Sequence, residues 1–111
     1  MKSLVFACDG RAIVVLVPGD LRADTTKIAA VAGCEKVRPV GADAVERLTG
    51  FPPGGVAPFP LPGIETILIE QALFGHEVVW IGAGSSRHMA AIAPSDLGRL
   101  ARARPASITV E

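Results

Sequence analysis

SLVFACDGRAIVVLV, residues 3–17, predicts the β-hairpin from which the fold is built. Two β-rich runs, Ser3–Cys8 and Ala12–Val17, flank Asp9-Gly10-Arg11, and Asp-Gly between such runs is a strong hairpin signal. The second run is apolar at every position, which is typical of a strand that is buried on both faces. We therefore expect Ala12–Val17 to be a central strand with elements packed against both sides of its sheet.

Helices and further strands follow the hairpin. We predict a first helix that begins at Thr25, with Asp24 as its N-cap and Gly33 after its end. A second helix is predicted over Ala42–Thr49, with Val45 and Leu48 facing inward, and a third from Pro94 to Arg102. The further strands that we predict are Glu35–Val40, Glu65–Glu70, Glu77–Ile81, His88–Ile92 and Ser107–Val110. The pattern leaves open whether Trp80 is in the core or on the surface. This order predicts one α+β domain over residues 1–111, with a mixed, largely antiparallel central sheet and flanking helices.

The composition is that of a compact globular protein. Half of the 111 residues are apolar and a fifth are charged, which suits one domain with a single core. Eleven basic and eleven acidic residues balance, and this neutrality disfavours a non-specific DNA-binding protein or a membrane-surface protein. No apolar run approaches the length of a membrane span. A local basic patch would still suffice to contact the end of a structured RNA.

The two cysteines, Cys8 and Cys34, show neither a CxxC motif nor a Cys/His spacing. We therefore expect no zinc site, and because the sequence also has no HExxH motif, P-loop or dinucleotide-binding fingerprint we expect no other metal and no cofactor. Two well-separated thiols in a chain whose first residues do not resemble a signal peptide are typical of a reduced, cytoplasmic protein.

A loop rich in glycine and proline occupies residues 50–63, GFPPGGVAPFPLPG, where nine of the fourteen residues are Gly or Pro. The stretch has no charge and contains Val56, Phe59 and Leu61, so it is too apolar for a plain solvated linker. Proline fixes φ, and glycine lets a backbone approach a ligand closely. The loop is either an ordinary buried crossover or a rigid loop whose backbone lines a pocket.

A second glycine-rich turn, Gly82–Ser85, lacks the third glycine of a dinucleotide-binding fingerprint and precedes a strand. It is either a structural turn or a turn whose N–H groups contact an oxyanion or a carbonyl. We expect His76 and His88 to be surface or strand-end residues, and Asp20 alone predicts a turn.

A basic bias marks the C-terminal third of the chain. Its arginines are Arg87, Arg99, Arg102 and Arg104. The last three fit either the solvated face of one helix or a modest phosphate-contacting patch, and the solvated face is the simpler interpretation.

Five motifs stand in a fixed order along the chain: Lys2-Ser3-Leu4, Val17-Pro18-Gly19-Asp20, Leu48-Thr49-Gly50, Gly54-Gly55-Val56-Ala57-Pro58-Phe59 and Gly82-Ala83-Gly84-Ser85. In order and spacing they resemble the YbaK/ProX family of aminoacyl-tRNA editing domains, which is related to the insertion domain of bacterial prolyl-tRNA synthetase. The resemblance runs from Lys2 to the last predicted helix, so it covers almost the whole chain.

The resemblance implies a cytoplasmic trans-editing hydrolase that deacylates mischarged aminoacyl-tRNA, most often tRNA for proline carrying alanine or cysteine, without a metal. It implies catalytic roles for Lys2, which positions the substrate near the 3′-terminal adenosine, and for Gly54, whose loop contacts the ester. The substrate-binding residues that it implies are Asp20, Gly55, Val56, Pro58, Gly82, Ala83, Gly84 and Ser85. The implied partners are the 3′ acceptor end of aminoacyl-tRNA and prolyl-tRNA synthetase.

The chain departs from the family pattern at three places. It begins one residue before Lys2, where family members carry a further segment with a helix that covers one side of the pocket. Ala57 and Pro60 stand where Ser and Gly are usual. The short start leaves open a second function, a non-catalytic module of the same fold that binds aminoacyl-tRNA or a synthetase. A small-molecule-binding α+β protein that merely shares the loop is a third interpretation.

Overall fold

The computed structural model describes residues 1–51, 56, 62–64, 66–82 and 89–110. The strands are β1 (Lys2–Cys8), β2 (Arg11–Val17), β3 (Val37–Pro39), β4 (Thr66–Glu70), β5 (Val79–Gly82), β6 (Met89–Ile92) and β7 (Arg104–Ala106). The helices are α1 (Thr25–Ala32), α2 (Ala42–Thr49) and α3 (Pro94–Ala101), and a 3-10 helix (Gln71–Gly75) follows β4. No helix in this part of the chain is long and apolar enough to cross a bilayer.

Five strands form a mixed sheet in the order β3-β1-β2-β4-β7. β1 runs antiparallel to β2 and β3, β4 runs parallel to β2 and β7, and β5 and β6 form a separate antiparallel pair. Among the described strands, two of the four pairs in the five-stranded sheet are antiparallel and two are parallel, so the central sheet is evenly mixed. The predicted α+β class, with a mixed sheet and flanking helices, is confirmed. The two parallel pairs arise where a helix lies between the paired strands, because a parallel connection must cross back over the sheet.

The β1–β2 hairpin turns at Asp9-Gly10, as the sequence predicts. Both residues have positive φ, 49° for Asp9 and 87° for Gly10, which is the conformation of the tight turn that joins two strands directly. The Asp9 carboxylate accepts hydrogen bonds from the N–H groups of Glu35 and Lys36 at 2.9 and 3.0 Å. These two bonds lower the pKa of Asp9, and they tie the turn to the chain that leaves α1.

β2 is buried on both faces, in agreement with its apolar sequence. Val14 and Leu16 pack in a cluster with side chains of α2, α3 and β5. Ile13, Val15 and Val17 pack on the other face with Ile28 of α1. All of β2 from Ile13 to Val17 is at most 2% exposed. The sheet therefore separates α1 on one side from α2, α3 and the β5–β6 pair on the other.

The signals at the ends of α1 act as predicted. Asp24 accepts hydrogen bonds from the N–H groups of Thr26 and Lys27 at 2.9 and 3.2 Å, and Gly33 ends the helix with φ of 74°.

On α2 the prediction of the buried face is half right: Val45 is buried, but Leu48 is 41% exposed. Thr49 turns inward instead, because its hydroxyl donates to the carbonyl of Val45 at 2.7 Å and so carries no unpaired polar group into the core.

Cys8 and Cys34 form a disulfide, which corrects the expectation of two free thiols. α1 packs on the face of the sheet that holds Cys8, so the chain leaving α1 brings Cys34 to β1, with 5.7 Å between the two Cα atoms. The separation of 26 residues hides this proximity in the sequence.

The last strand lies earlier than predicted, at Arg104–Ala106 instead of Ser107–Val110. Within the predicted strand, Thr109 forms only an isolated antiparallel bridge with Ala23. The segment still belongs to the core, since Ile108 is fully buried in the same cluster as α1. Its apolar residues therefore reflect burial beneath the start of α1 and not pairing with β4.

Trp80 lies on the surface of β5 with 55% of its area exposed, whereas its neighbour Ile81 is 4% exposed. Trp80→Ala is therefore expected to lower the free energy of unfolding by less than about 1 kcal/mol. Ile81→Ala, on the opposite face of the same strand, is expected to cost about 2–5 kcal/mol. Urea denaturation of the two variants beside the parent chain checks this pair, and a larger loss at Trp80 than at Ile81 would contradict it.

Candidate functional site

A cavity of about 610 Å³ opens at the edge of the sheet beside β1. Its walls are β1 from Lys2 to Phe6, the connection between β2 and α1, the connection between β3 and α2, the start of α2, and Val56. A cavity of this volume lies within the range of sites that hold small molecules. Most of its wall is apolar, and Val45 and Val56 are buried core residues.

The cavity exists because β3 is short. β3 pairs only with Phe6–Cys8 of β1, so it leaves the first half of β1 uncovered along that edge. The last link is a hydrogen bond of 3.2 Å from the N–H of Val40 to the carbonyl of Val5. Backbone groups alternate between the two edges of a strand, so the N–H and C=O of Ser3 point to the same edge as the carbonyl of Val5. The wall therefore presents a main-chain donor and acceptor.

Lys2, the first residue of β1, lines the cavity and is half-buried. Its backbone pairs with Val17 of β2, which is fully buried, so the sheet fixes the point from which the lysine side chain extends. A second cation, Arg22, lies on the connection between β2 and α1. Among the described residues that line the cavity, these are the charged side chains.

The connection between β2 and α1, which carries Arg22, is hydrogen-bonded to residues 108–110, called here the C-terminal segment. The N–H of Val110 donates to the carbonyl of Arg22 at 2.8 Å, and the N–H of Asp24 donates to the carbonyl of Ile108 at 2.8 Å. The Nζ of Lys27 donates to the carbonyl of Thr109 at 2.9 Å. The wall of the cavity at Arg22 is therefore part of a hydrogen-bonded structure and not a free loop.

Glu70 anchors that C-terminal segment from within the core, where it is 3% exposed. Its Oε1 accepts hydrogen bonds from the N–H groups of Ile108 and Thr109 and from the Thr109 hydroxyl, at 2.9, 3.1 and 2.9 Å. Its Oε2 accepts from the N–H of Ala72 at 2.9 Å. Burial acts to raise the pKa of the Glu70 carboxyl, but these hydrogen bonds outweigh it and place the pKa below its ordinary value.

Two of the site residues expected from the family resemblance meet in the cavity, Lys2 and Val56. Asp20 lines a separate, smaller cavity of about 150 Å³ together with Met1 and Trp80. Gly82 is the last residue of β5, paired with Met89. The other expected site residues lie outside the described residues: Gly54, Gly55, Pro58, Ala83, Gly84 and Ser85.

Two of the arginines of the C-terminal third contact other groups of the chain. Arg99 forms an ion pair with Asp96 at 2.9 Å, and Arg104 donates to the carbonyl of Val31 at 2.6 Å. Of the three arginines predicted to share one helix face, Arg99 lies on α3, Arg102 follows its last residue and Arg104 lies on β7, so they do not form the face of a single helix. Sequence reasoning missed Arg22, the cation that does line the cavity, because its place there depends on how the chain crosses from β2 to α1. The one signal that pointed toward it was the neighbouring Val17–Asp20 motif.

The family of the chain follows from comparison with known proteins. The family model described as the aminoacyl-tRNA editing domain matches residues 1–100. The proline–tRNA ligases of Lactobacillus gasseri and Nitratidesulfovibrio vulgaris are each 28% identical to the chain over 86 residues. Each match covers 78% of this chain, but the chain spans only 15% of the length of these curated relatives.

Solved structures share the fold over nearly the whole chain. A candidate trans-editing enzyme for prolyl-tRNA synthetase has a TM-score of 0.91 and 31% identity, and the match covers 99% of this chain and 69% of that one. The hypothetical protein APE2540 has a TM-score of 0.89 and 30% identity, with 98% and 73% covered. The resemblance drawn from the five sequence motifs is confirmed. The chain belongs to the aminoacyl-tRNA editing domain family.

Proposed function

We propose that the chain hydrolyses the ester that joins a wrong amino acid to tRNA, and that its substrates are alanyl- and cysteinyl-tRNA for proline. The observation that carries the proposal is that Lys2 and Val56 share the wall of one cavity. They come from two separate motifs of the family resemblance. The proline–tRNA ligases among the relatives support tRNA for proline as the substrate and prolyl-tRNA synthetase as a partner in the same process.

Hydrolysis of such an ester needs an oriented water and fixed dipoles more than a strong nucleophile. In the proposed reaction, water adds to the acyl carbon, the bond from that carbon to the ribose oxygen breaks, and a proton passes to the ribose oxygen. The products are the free amino acid and tRNA with its terminal hydroxyl restored. Lys2 holds the 3′-terminal adenosine, the backbone of Gly54-Gly55 contacts the ester, and the 2′-hydroxyl of the substrate assists the water.

The apolar wall of the cavity suits a small amino acid. Val45 and Val56 are buried there, and neither offers a partner to a polar side chain. Alanine and proline differ little in size and polarity, so a synthetase site separates them poorly by binding alone. A second site that accepts the smaller product and hydrolyses it supplies the missing discrimination.

The test is a deacylation panel on tRNA for proline charged with alanine, cysteine or proline. The protein is expected to release alanine or cysteine at least about tenfold faster than spontaneous hydrolysis, and to leave prolyl-tRNA near that background. Loss of the radiolabelled ester measures the rate. Background rates with both mischarged species would refute the proposed substrates, and a gel shift with the same tRNA would then identify the non-catalytic binding module.

A further inference from the structure

The described charged side chains that line the cavity are all positive, although the chain as a whole is neutral. Lys2 and Arg22 are both cations, and the described residues of the cavity wall include no carboxylate. A cleft that carries one sign of charge between low-dielectric walls attracts ligands of the opposite sign. In an aminoacyl-tRNA the negative charges are the phosphates, whereas the ester and the amino acid carry none. The cavity is therefore suited to hold a phosphate beside the ester.

The two cations occupy different depths. Lys2 is half-buried on β1, and Arg22 is exposed on the opposite connection between β2 and α1. A phosphate keeps part of its hydration when it binds at a rim, and a planar guanidinium matches two phosphate oxygens at once. Arg22 thus has both the position and the shape for a phosphate contact, while Lys2 is the more buried of the two cations.

No nearby acid on the same segment is placed to neutralise Arg22. Asp24 directs its carboxylate to the N–H groups of Thr26 and Lys27 at the start of α1. Asp20 lines the separate cavity of about 150 Å³. The carbonyl of Arg22 is fixed by the N–H of Val110, so the arginine extends from an ordered backbone. Less backbone entropy is lost on binding when the segment that carries the binding group is ordered beforehand.

We propose that Arg22 binds the 5′-phosphate of the nucleotide that carries the amino acid. This choice of phosphate rests on the proposed function, because it is the phosphate nearest the ester in an aminoacyl-tRNA. Arg22 is then a substrate-binding residue, and it makes the cavity prefer a nucleotide to a nucleoside. The side chain takes no part in breaking the ester.

The test compares the affinities of adenosine and adenosine 5′-monophosphate (AMP), measured by NMR titration at low salt. The parent chain is expected to bind AMP about tenfold or more tightly than adenosine, the factor that a charge-assisted hydrogen bond supplies. Arg22→Gln is expected to remove most of that preference and to leave the affinity for adenosine unchanged. Arg22→Lys, which keeps the charge without the planar fork, is expected to retain part of it.

The matched control is Arg11→Gln, which removes an exposed arginine at the far end of β2 that lines a different cavity. It is expected to behave as the parent chain does. Added salt is expected to weaken the AMP preference of the parent and of Arg22→Lys more than any preference left in Arg22→Gln. An AMP preference that is equal in Arg22→Gln and the parent overturns the proposal, and so does a parent chain that binds AMP no better than adenosine.

These binding results separate the phosphate site from the proposed function because they require no turnover. An Arg22-dependent AMP preference in a chain that deacylates none of the panel would refute the proposed substrates and support the phosphate site. Active deacylation together with an AMP preference that ignores Arg22 would refute the phosphate site alone.

Discussion

Lys2→Ala is expected to slow the release of alanine from alanyl-tRNA for proline by roughly 100-fold or more. Lys2 lines the cavity and extends from a backbone paired with the buried Val17, so the strand fixes the point from which its ammonium reaches the substrate. A preorganised charge in a partly enclosed site contributes more than the same charge in water, and it costs little to orient at the moment of reaction. Single-turnover deacylation with excess protein measures the chemical step directly.

The control for this variant is Lys36→Ala, which removes the same charge from an exposed position in the groove between α1 and β3. It is expected to keep the parent rate. Both variants are expected to keep the melting temperature within the range of ordinary surface substitutions. A folded Lys2→Ala chain that is within about twofold of the parent rate would show that the lysine does not position the substrate, since loss of an oriented group costs far more than that.

Local signals in the sequence account for much of the fold. Asp9-Gly10 closes the hairpin with two positive φ angles, and Asp24 caps α1, both as their residue types demand. The errors arise where distant segments decide the outcome. Thr49, four residues after Val45, lies on the buried face of α2 in place of Leu48, and its hydroxyl is satisfied there by a carbonyl, which no hydrophobic pattern reports. The strand β7 lies at Arg104–Ala106 because β4 offers its free edge there.

The candidate site was less accessible to sequence reasoning than the fold. Only the family resemblance points to Lys2, because a lysine that opens a strand carries no chemical signal of its own. For Val56 the apolar composition of the loop at residues 50–63 leaves a pocket wall open, and the resemblance favours it. Arg22 and Glu70 were missed for a physical reason. Their roles depend on the C-terminal segment crossing both the start of α1 and the end of β4, and these contacts join residues far apart in the chain.

Glu70→Ala is expected to lower the free energy of unfolding by about 2–5 kcal/mol, because several buried donors lose their acceptor and each such loss costs about 1–3 kcal/mol. The substitution leaves the donors at Ala72, Ile108 and Thr109 facing a space from which the carboxylate is gone. Buried donors without acceptors are costly, and the C-terminal segment loses its anchor at the same time. Urea denaturation at neutral pH measures the change.

Two variants calibrate that result. Thr109→Val removes one hydroxyl donor to Glu70 and is expected to cost about 1 kcal/mol. Glu77→Ala removes an exposed glutamate just before β5 and is expected to change stability by less than about 0.5 kcal/mol. If Glu70→Ala proves no more harmful than Glu77→Ala, the carboxylate does not anchor the segment as its hydrogen bonds indicate.

The same carboxylate gives the fold a defined acid sensitivity. The pKa of Glu70 is lower in the folded chain than its ordinary value, so the folded state holds the proton more weakly than the unfolded state. The stability that the carboxylate contributes is therefore complete above the unfolded pKa of about 4.3 and is lost as the pH falls through the folded pKa.

Glu70→Gln resembles the protonated acid at every pH. The difference in unfolding free energy between the parent and Glu70→Gln is thus expected to be greatest near neutral pH and to shrink below about pH 4. Asp9→Asn, measured in parallel, accounts for a second carboxyl among the described residues whose pKa is lowered. A difference for Glu70→Gln that stays constant from neutral to strongly acidic pH would mean that the hydrogen bonds do not depend on its charge.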